Sequence, residues 1–391
     1  MWSSLCLLLA LFVQVFANND DIPTFKIDLD LPARQRWLKV GKRYRRWFRD
    51  NHQKMELTIA NKYWTQELED ELFAAVSDEI REELEGLIEG LDHKEATLAK
   101  YLKQAVVYEL GLTEGFECSG IVATKSDGTT IHGRNLDLGA QFKFVEKITF
   151  YAEFVKNGQP IAKGVSFLGN VGIHTGVHLG EGTNKWTIEQ NTRIEGKREL
   201  RNDTHLEIGN HTHWEVHADP QGWVNRTISA LRSGGKLMHQ ETRRLLIETD
   251  SFTDAVDKFS TTGWIAPQYF ILAGAGQYEG AVITVGRVNS TGEAGFYDIQ
   301  LMSESSGQWV LIQTNDDHWD DPLDLRREHA RITMKMLKEK SGVCEDNVMI
   351  SLRSPPTCND RTLFSWVRNP SSGEEQLDMG DCDGQGLFAS E

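Results

Sequence analysis

The sequence predicts an α+β fold, and three observations carry that prediction. Apolar residues recur at helical spacing through roughly the first hundred residues. Beyond Glu117, apolar runs of strand length bounded by Gly, Asn and Asp take over. The 391-residue chain is 39% hydrophobic and 26% charged, the balance of a globular protein with a core of its own. Lys and Arg total 42 against 58 Asp and Glu, a net charge of −16. A nucleic-acid binder needs a basic footprint, so no nucleic-acid partner is expected.

The elements follow in order. The apolar run from Leu5 to Phe16 is too short to span a bilayer and ends in Val15-Phe16-Ala17, a small-residue cleavage pattern; residues 1–17 read as a signal peptide. Phe25 to Leu31 alternates as a short strand stopped by Pro32. Arg34 to Arg49 holds eight Lys/Arg among sixteen residues, with Trp37, Leu38, Tyr44, Trp47 and Phe48 at helical spacing. That pattern suits a helix resting on an anionic membrane surface or a solvated face opposite a core stripe, and the second reading is favoured. Thr65 to Leu91 is an amphipathic helix or helix pair; Asp92 with Glu95 reads as a capping box before a further helix carrying Leu98, Tyr101, Leu102, Ala105 and Val106.

The pattern changes at Glu117–Cys118. Ser119 to Arg134 reads as strand, Asp-Gly turn, strand, and Ile148 to Val155 and Gln159 to Phe167 as strands around Asn157-Gly158. Strands are expected again over 269–274, 280–285 and 309–314, with helices over 226–248 and 323–339. The four histidines His205, His211, His213 and His217 read as a surface loop rather than a metal site. The last twenty residues hold six acids and no base and are expected to be mobile.

Sequons at Asn202, Asn210, Asn225 and Asn289 accompany the signal peptide and favour the secretory route. Of five cysteines, Cys6 leaves with the signal peptide, and Cys344, Cys358 and Cys382 cluster near the end. Cys118 stands apart, as an odd, long-range paired or reactive thiol.

Chemistry converges on Cys118. It opens one strand of a hairpin whose returning strand ends in His132-Gly-Arg-Asn-Leu-Asp137, so Arg134 and Asp137 come back beside it. A cation favours thiolate and a carboxylate orients a base, but no histidine is obviously supplied; His132 is a poor candidate. A cut between Glu117 and Cys118 would supply the base itself, because a free α-amine titrates near ~8.

These residues resemble a known family. Cys118-Ser-Gly-Ile-Val-Ala with Ile131-His-Gly-Arg-Asn-Leu-Asp137 is similar to the nucleophile hairpin of the acid ceramidase and N-acylethanolamine-hydrolysing acid amidase family, lysosomal N-terminal-nucleophile hydrolases. Asp28 to Pro32, Arg36-Trp37, 266–274, 279–284, Gln313 to Trp319, Asp324 to Arg327 and 352–367 keep the family's order. The resemblance implies an αββα sandwich of the N-terminal-nucleophile type with a helical N-terminal subunit. It implies a precursor cut into 18–117, the small subunit, and 118–391, the catalytic large subunit with an acidic tail over 372–391. Cys118 would be nucleophile and base, Arg134 and Asp137 would position and tune it, and Asn315 would donate to the oxyanion, with Asn191 and Arg326 in support. The implied substrate is a lipid amide, N-acylethanolamine ahead of ceramide, and the implied partner is the cleaved small subunit in a heterodimer. No metal and no cofactor is implied. Thr192 stands where the family carries Glu before Arg193, and Phe364-Ser-Trp366 replaces its Tyr-Thr-Thr; both suggest a catalytically silent lipid-binding relative as the rival reading.

Overall fold

Strands that alternate strictly in sequence must bury one face at a time, and here they do so in two sheets laid face to face. The computed structural model describes residues 22–55, 64–109, 117–193, 220–292, 294–320 and 324–382. The signal peptide, the four-histidine segment with Asn202 and Asn210, and residues 383–391 of the tail lie outside them.

The larger sheet has eight strands in the order β1-β4-β5-β6-β7-β8-β9-β10. They are β1 (Thr24–Asp28), β4 (Thr149–Lys156), β5 (Gln159–Phe167), β6 (Thr175–Leu179), β7 (Lys185–Thr192), β8 (Gln268–Gly274), β9 (Gly280–Val285) and β10 (Tyr297–Leu301). The smaller sheet has five in the order β11-β2-β3-β12-β13. These are β2 (Glu117–Thr124), β3 (Thr130–Asp137), β11 (Val310–Gln313), β12 (Thr362–Arg368) and β13 (Glu375–Asp378).

Strand β2 touches β7, β8 and β9 across the interface, and β3 touches β8. Alternation sorts the hairpin residues. Val122 faces inward with Tyr269, Ile271, Ala273 and Leu311. Ile121, Ala123 and Ile131 face outward, under Ala330, Met334, Val348 and Leu352. Those four belong to helices α9 (Arg326–Ser341) and α10 (Glu345–Arg353), which cover the small sheet. Helices α7 (Met238–Glu248) and α8 (Phe252–Thr261) cover the large one. The layering is therefore αββα, as expected.

The N-terminal part is helical: α1 (Ala33–Arg36), α2 (Leu38–Asn51), α3 (Gln66–Ala75), α4 (Asp78–Leu91) and α5 (Leu98–Glu109). It is joined to the rest by more than the chain. Strand β1 pairs parallel with β4, Phe25 and Trp37 pack on Phe150, and Trp37 packs on Phe154. Helices α1 and α4 touch backbone to backbone: a Cβ on Gly86 would lie 1.8 Å from the Arg34 carbonyl oxygen. Between them Glu83 is fully buried. Its carboxylate accepts from Trp37 Nε1 at 3.1 Å, from Arg36 at 2.9 Å, and from both terminal nitrogens of Arg243 on α7.

Several expectations are corrected. The 226–248 helix is two, α6 (Pro220–Arg232) and α7, broken at Gly234, whose φ of +82° suits glycine. Asp92 does not open a helix. It closes α4 in the left-handed conformation at φ 51°, and the next helix starts at Thr97, whose hydroxyl accepts from Lys100 N. The described part of the tail is held: β13 pairs with β12, and Cys382 is disulfide-bonded to Cys358 with a Cα–Cα distance of 5.6 Å. Cys118 carries a free thiol.

Candidate active site

The antiparallel register of β2 and β3 sets the site. Glu117 stands opposite Asp137, Cys118 opposite Leu136, Gly120 opposite Arg134 and Val122 opposite His132. Paired residues share a face, so Cys118, Arg134 and His132 point into the inter-sheet core. His132, a poor candidate for the base from sequence, shares Cys118's face two positions from Arg134, but its ring meets Glu189 and Thr187 rather than the thiol. Ser119 and Asp137 alternate to the face covered by α9.

Cys118 is buried. Its thiol is pushed up to about 11, chiefly by burial and further by Asp137 and Glu189, against the pull of Arg134. Arg134 Nη2 reaches Sγ at 3.5 Å. The Nη1 edge of the same guanidinium is spent on the His174 carbonyl at 2.8 Å, His174 Nδ1 at 3.1 Å and the Thr175 hydroxyl. Arg134 is thus clamped by the β6 end of the large sheet while it faces a thiol on the small one.

The backbone at Cys118 is gripped from the other side. Its N–H donates to Asn315 Oδ1 at 2.9 Å, and its carbonyl accepts from Arg326 Nη1 at 2.9 Å. Arg326 Nη2 also donates to Asn315 Oδ1 at 3.1 Å, and its guanidinium is 3.5 Å from Asp137 Oδ2. Two donors on the oxygen side fix the orientation of the Asn315 amide. Its Nδ2 then donates to the Thr192 carbonyl at 2.9 Å, which commits one of two amide hydrogens. Asp137 Oδ1 accepts from the Thr362 hydroxyl at 2.6 Å.

Cys118, Arg134, Asp137, Asn315 and Arg326 therefore converge on one point. Arg326, read from sequence only as support, is the hub that ties the Cys118 backbone, the Asp137 carboxylate and the Asn315 amide together. Asn191, the other supporting residue, donates to the Gln313 carbonyl at 3.2 Å and so ties β7 to the end of β11. Thr192 serves through its backbone. Of the sequons, Asn225 is exposed, and Asn289 accepts from Thr291 N and Oγ1 in a surface turn.

Sequence reasoning passed over a second tier. Arg193 pairs with Asp317 through two bonds of 2.7 and 2.8 Å, and the Tyr269 hydroxyl donates to Asp317 at 2.7 Å. Phe296 and Trp319 lie 5.4 and 5.9 Å from the Arg193 guanidinium. This assembly fixes the loop that carries Asn315. Its signal was present: Arg193 and Asp317 both sit in segments matched to the family, but each reads there as an ordinary surface charge. Among the described residues no cluster of His, Cys, Asp and Glu is arranged to hold a metal.

An αββα sandwich with a buried cysteine at the head of an inner strand has the layering and the thiol placement expected of an N-terminal-nucleophile hydrolase. The comparisons agree with that class. The family described as the beta subunit of N-acylethanolamine-hydrolyzing acid amidase matches residues 20–74. N-acylethanolamine-hydrolyzing acid amidase of Rattus norvegicus is 26% identical over 91% of this chain and 88% of its own length. Acid ceramidase of Macaca fascicularis is 26% identical over 92% and 86%. A solved structure of the Caenorhabditis elegans N-acylethanolamine-hydrolyzing acid amidase ortholog is 28% identical over 65% of this chain and 93% of that one, at a TM-score of 0.48. Over most of its length the chain is similar to N-acylethanolamine-hydrolyzing acid amidases and acid ceramidases, and it is a hydrolase of amide C–N bonds.

Proposed function

We propose that the protein is made as an inactive precursor, enters the secretory route through the signal peptide at 1–17 and works in the lysosome. There it hydrolyses N-acylethanolamines to fatty acid and ethanolamine. The observation that carries this reading is the grip on Cys118: thiol against Arg134, nitrogen against Asn315, carbonyl against Arg326. The similarity to amidases from several mammals and a nematode supports the substrate choice. The similarity to acid ceramidase keeps ceramide as the second reading.

In the precursor the nitrogen held by Asn315 belongs to the Glu117–Cys118 peptide bond. The thiol attacks the Glu117 carbonyl carbon, and the C–N bond breaks as the nitrogen takes the thiol proton. Water then hydrolyses the resulting thioester and separates 18–117 from 118–391. The family match to 20–74 as a subunit fits such a cut. The released α-amine stays beside Asn315 Oδ1 and, near ~8 when unperturbed, is a better base for the thiol than any neighbouring side chain. In turnover the thiol proton passes to this amine and sulfur adds to the substrate carbonyl. The second hydrogen of Asn315 Nδ2 is the one available to the oxyanion. The amine product leaves with the proton, and water releases the fatty acid from the thioester.

The test is Cys118→Ala expressed in cultured cells. It should run as one chain on a denaturing gel where the native protein runs as two. Cutting of that variant at the same bond would assign the step to another protease. Incubating the matured protein with N-palmitoylethanolamine and a ceramide side by side then decides the substrate: ceramide turnover alone would move the assignment to the second reading.

A further inference from the structure

Glu189 lies at the centre of β7, fully buried, and its carboxyl occupies the space where Gly120 lacks a side chain. A Cβ on Gly120 would sit 2.7 Å from Glu189 Oε2. The carboxyl is therefore wedged behind the nucleophile strand, two residues from Cys118, and no role above uses it. Its partner is His132, whose Nε2 is 3.1 Å from Oε2. The direction of that bond follows from the next one. Thr187 Oγ1 donates its only hydrogen to the Ala273 carbonyl at 3.1 Å, so it accepts from His132 Nδ1 at 2.9 Å. A neutral His132 with its proton on Nδ1 offers only a lone pair at Nε2. Glu189 must then be the donor, and a carboxyl donates only when protonated.

Burial favours that neutral state over an ion pair, against the pull of Arg134 on the Glu189 carboxyl. Burial, with Arg134 adding to it, holds His132 down at about 3, and burial holds Glu189 well above the carboxylate range. Around the pair stand Arg134 and Asp137 from β3 and Cys118 from β2. Asn191 from β7 also pulls the Glu189 carboxyl down, against the effect of burial. Strands β6 and β8 place Thr175 and Ile271 beside Glu189, neither of them ionisable in this range. His174 and His239 stack beyond Arg134 at 5.4 Å, and both are held neutral by burial and by Arg134.

We infer that Glu189 is a positioning acid of this hydrolase: kept protonated by donating to His132, it leaves the Arg134 charge to the Cys118 thiolate, and its ionisation as pH rises switches the site off. An ionised Glu189 would compete for Arg134 and raise the cost of a second negative charge on sulfur. The segment around Thr192 lacks the family's carboxyl, and Glu189 supplies one from three residues earlier on the same strand. The inference rests on Cys118 as nucleophile.

The experiment uses the matured enzyme, with two readouts from about pH 4 to about pH 8: turnover of a fluorogenic N-palmitoyl amide and the rate of Cys118 alkylation by iodoacetamide. Glu189→Gln keeps a donor toward His132 and cannot ionise. It should retain turnover within about threefold at acid pH and carry both activity and alkylation to higher pH than the native enzyme. Glu189→Ala should lose at least about tenfold in both at every pH, with Gln as its rescue. Superimposable pH profiles for Glu189→Gln and the native protein would overturn the inference. So would a Gln variant as damaged as the Ala variant at acid pH, since the ionised form would then be the working one. Melting of each variant separates loss of fold from loss of position. Turnover that survives Cys118→Ala would sink the nucleophile assignment instead, a different result from either of these.

Discussion

At the scale of single residues, the site joins groups that are unremarkable alone. A buried thiol resists ionisation, and Cys118 has one strong cation within reach to counter that. The planar fork of Arg134 touches Sγ with one nitrogen while the other holds His174 and Thr175. A lysine keeps the charge but cannot do both. Arg134→Lys should therefore lower turnover by roughly a hundredfold, with alkylation of Cys118 slowed in parallel. Asn315→Ala removes the acceptor for the Cys118 nitrogen and leaves Arg326 short of a partner. Processing should slow, and turnover of whatever matures should fall by roughly a hundredfold or more with little change in KM; time courses of cleavage and saturation kinetics check the two halves. Cys118, Arg134 and Asp137 were legible because a hairpin's return path is simple geometry. Arg326 was underweighted because Cys118, whose carbonyl it holds, lies 208 residues away in sequence, and no local pattern encodes that meeting. Glu189 was invisible as a site for the opposite reason: in a strand of alternating residues an acid reads as solvent-facing until a second sheet covers it.

At the scale of elements, periodicity carried far. It located the nucleophile hairpin, the β4–β5 hairpin, the β8–β9 pair and the α3–α4 pair, because each element buries one face and repeats accordingly. It erred at ends. The Asp92 spacing imitated a helix start, but Asp and Asn also tolerate the left-handed turn that stops a helix. Short strands such as β6, β10 and β13 carry too few residues for alternation to register. The packing of α1 on α4 was equally hidden, since it depends on what is missing from Gly86. Gly86→Ala would drive a methyl into the Arg34 carbonyl, and the expected loss is about 1–3 kcal/mol, read from urea unfolding of the uncut Cys118→Ala protein. Glu83→Ala is harsher. It leaves Arg243 buried without its carboxylate, a change of about 3–5 kcal/mol, and secretion of the variant should drop accordingly.

At the scale of the whole molecule, the buried pair Glu189 and His132 shapes how stability depends on pH. Glu189 has its folded value raised above 4.5, so it contributes fully below that pH and loses its contribution as pH climbs beyond it. His132, lowered from 6.5 to about 3, contributes fully above 6.5 and loses its contribution as pH falls. Between 4.5 and 6.5 the two slopes cancel, leaving a plateau that falls away on both sides. Melting temperatures of the uncut Cys118→Ala protein should trace that plateau, and adding Glu189→Gln should remove the fall on the alkaline side and turn the plateau into a rise toward 6.5. The layering that sets this up was readable in outline, since helices then strands announce two kinds of layer. The two-sided wrapping was not, because it needs β1, from the helical part, to complete a sheet formed a hundred residues later. That strand has a further consequence. If the chain is cut at Glu117–Cys118 as proposed, β1 and β4 belong to one polymer before that cut, and their encounter is a loop closure at an effective concentration of order millimolar. Afterwards the same contact needs two molecules to find each other in dilute solution. Maturation therefore discards the instructions for assembly while keeping the product. A mature protein that has once come apart should not return on dilution from denaturant, whereas the uncut chain should, and the cut acts as a ratchet on the protein's history.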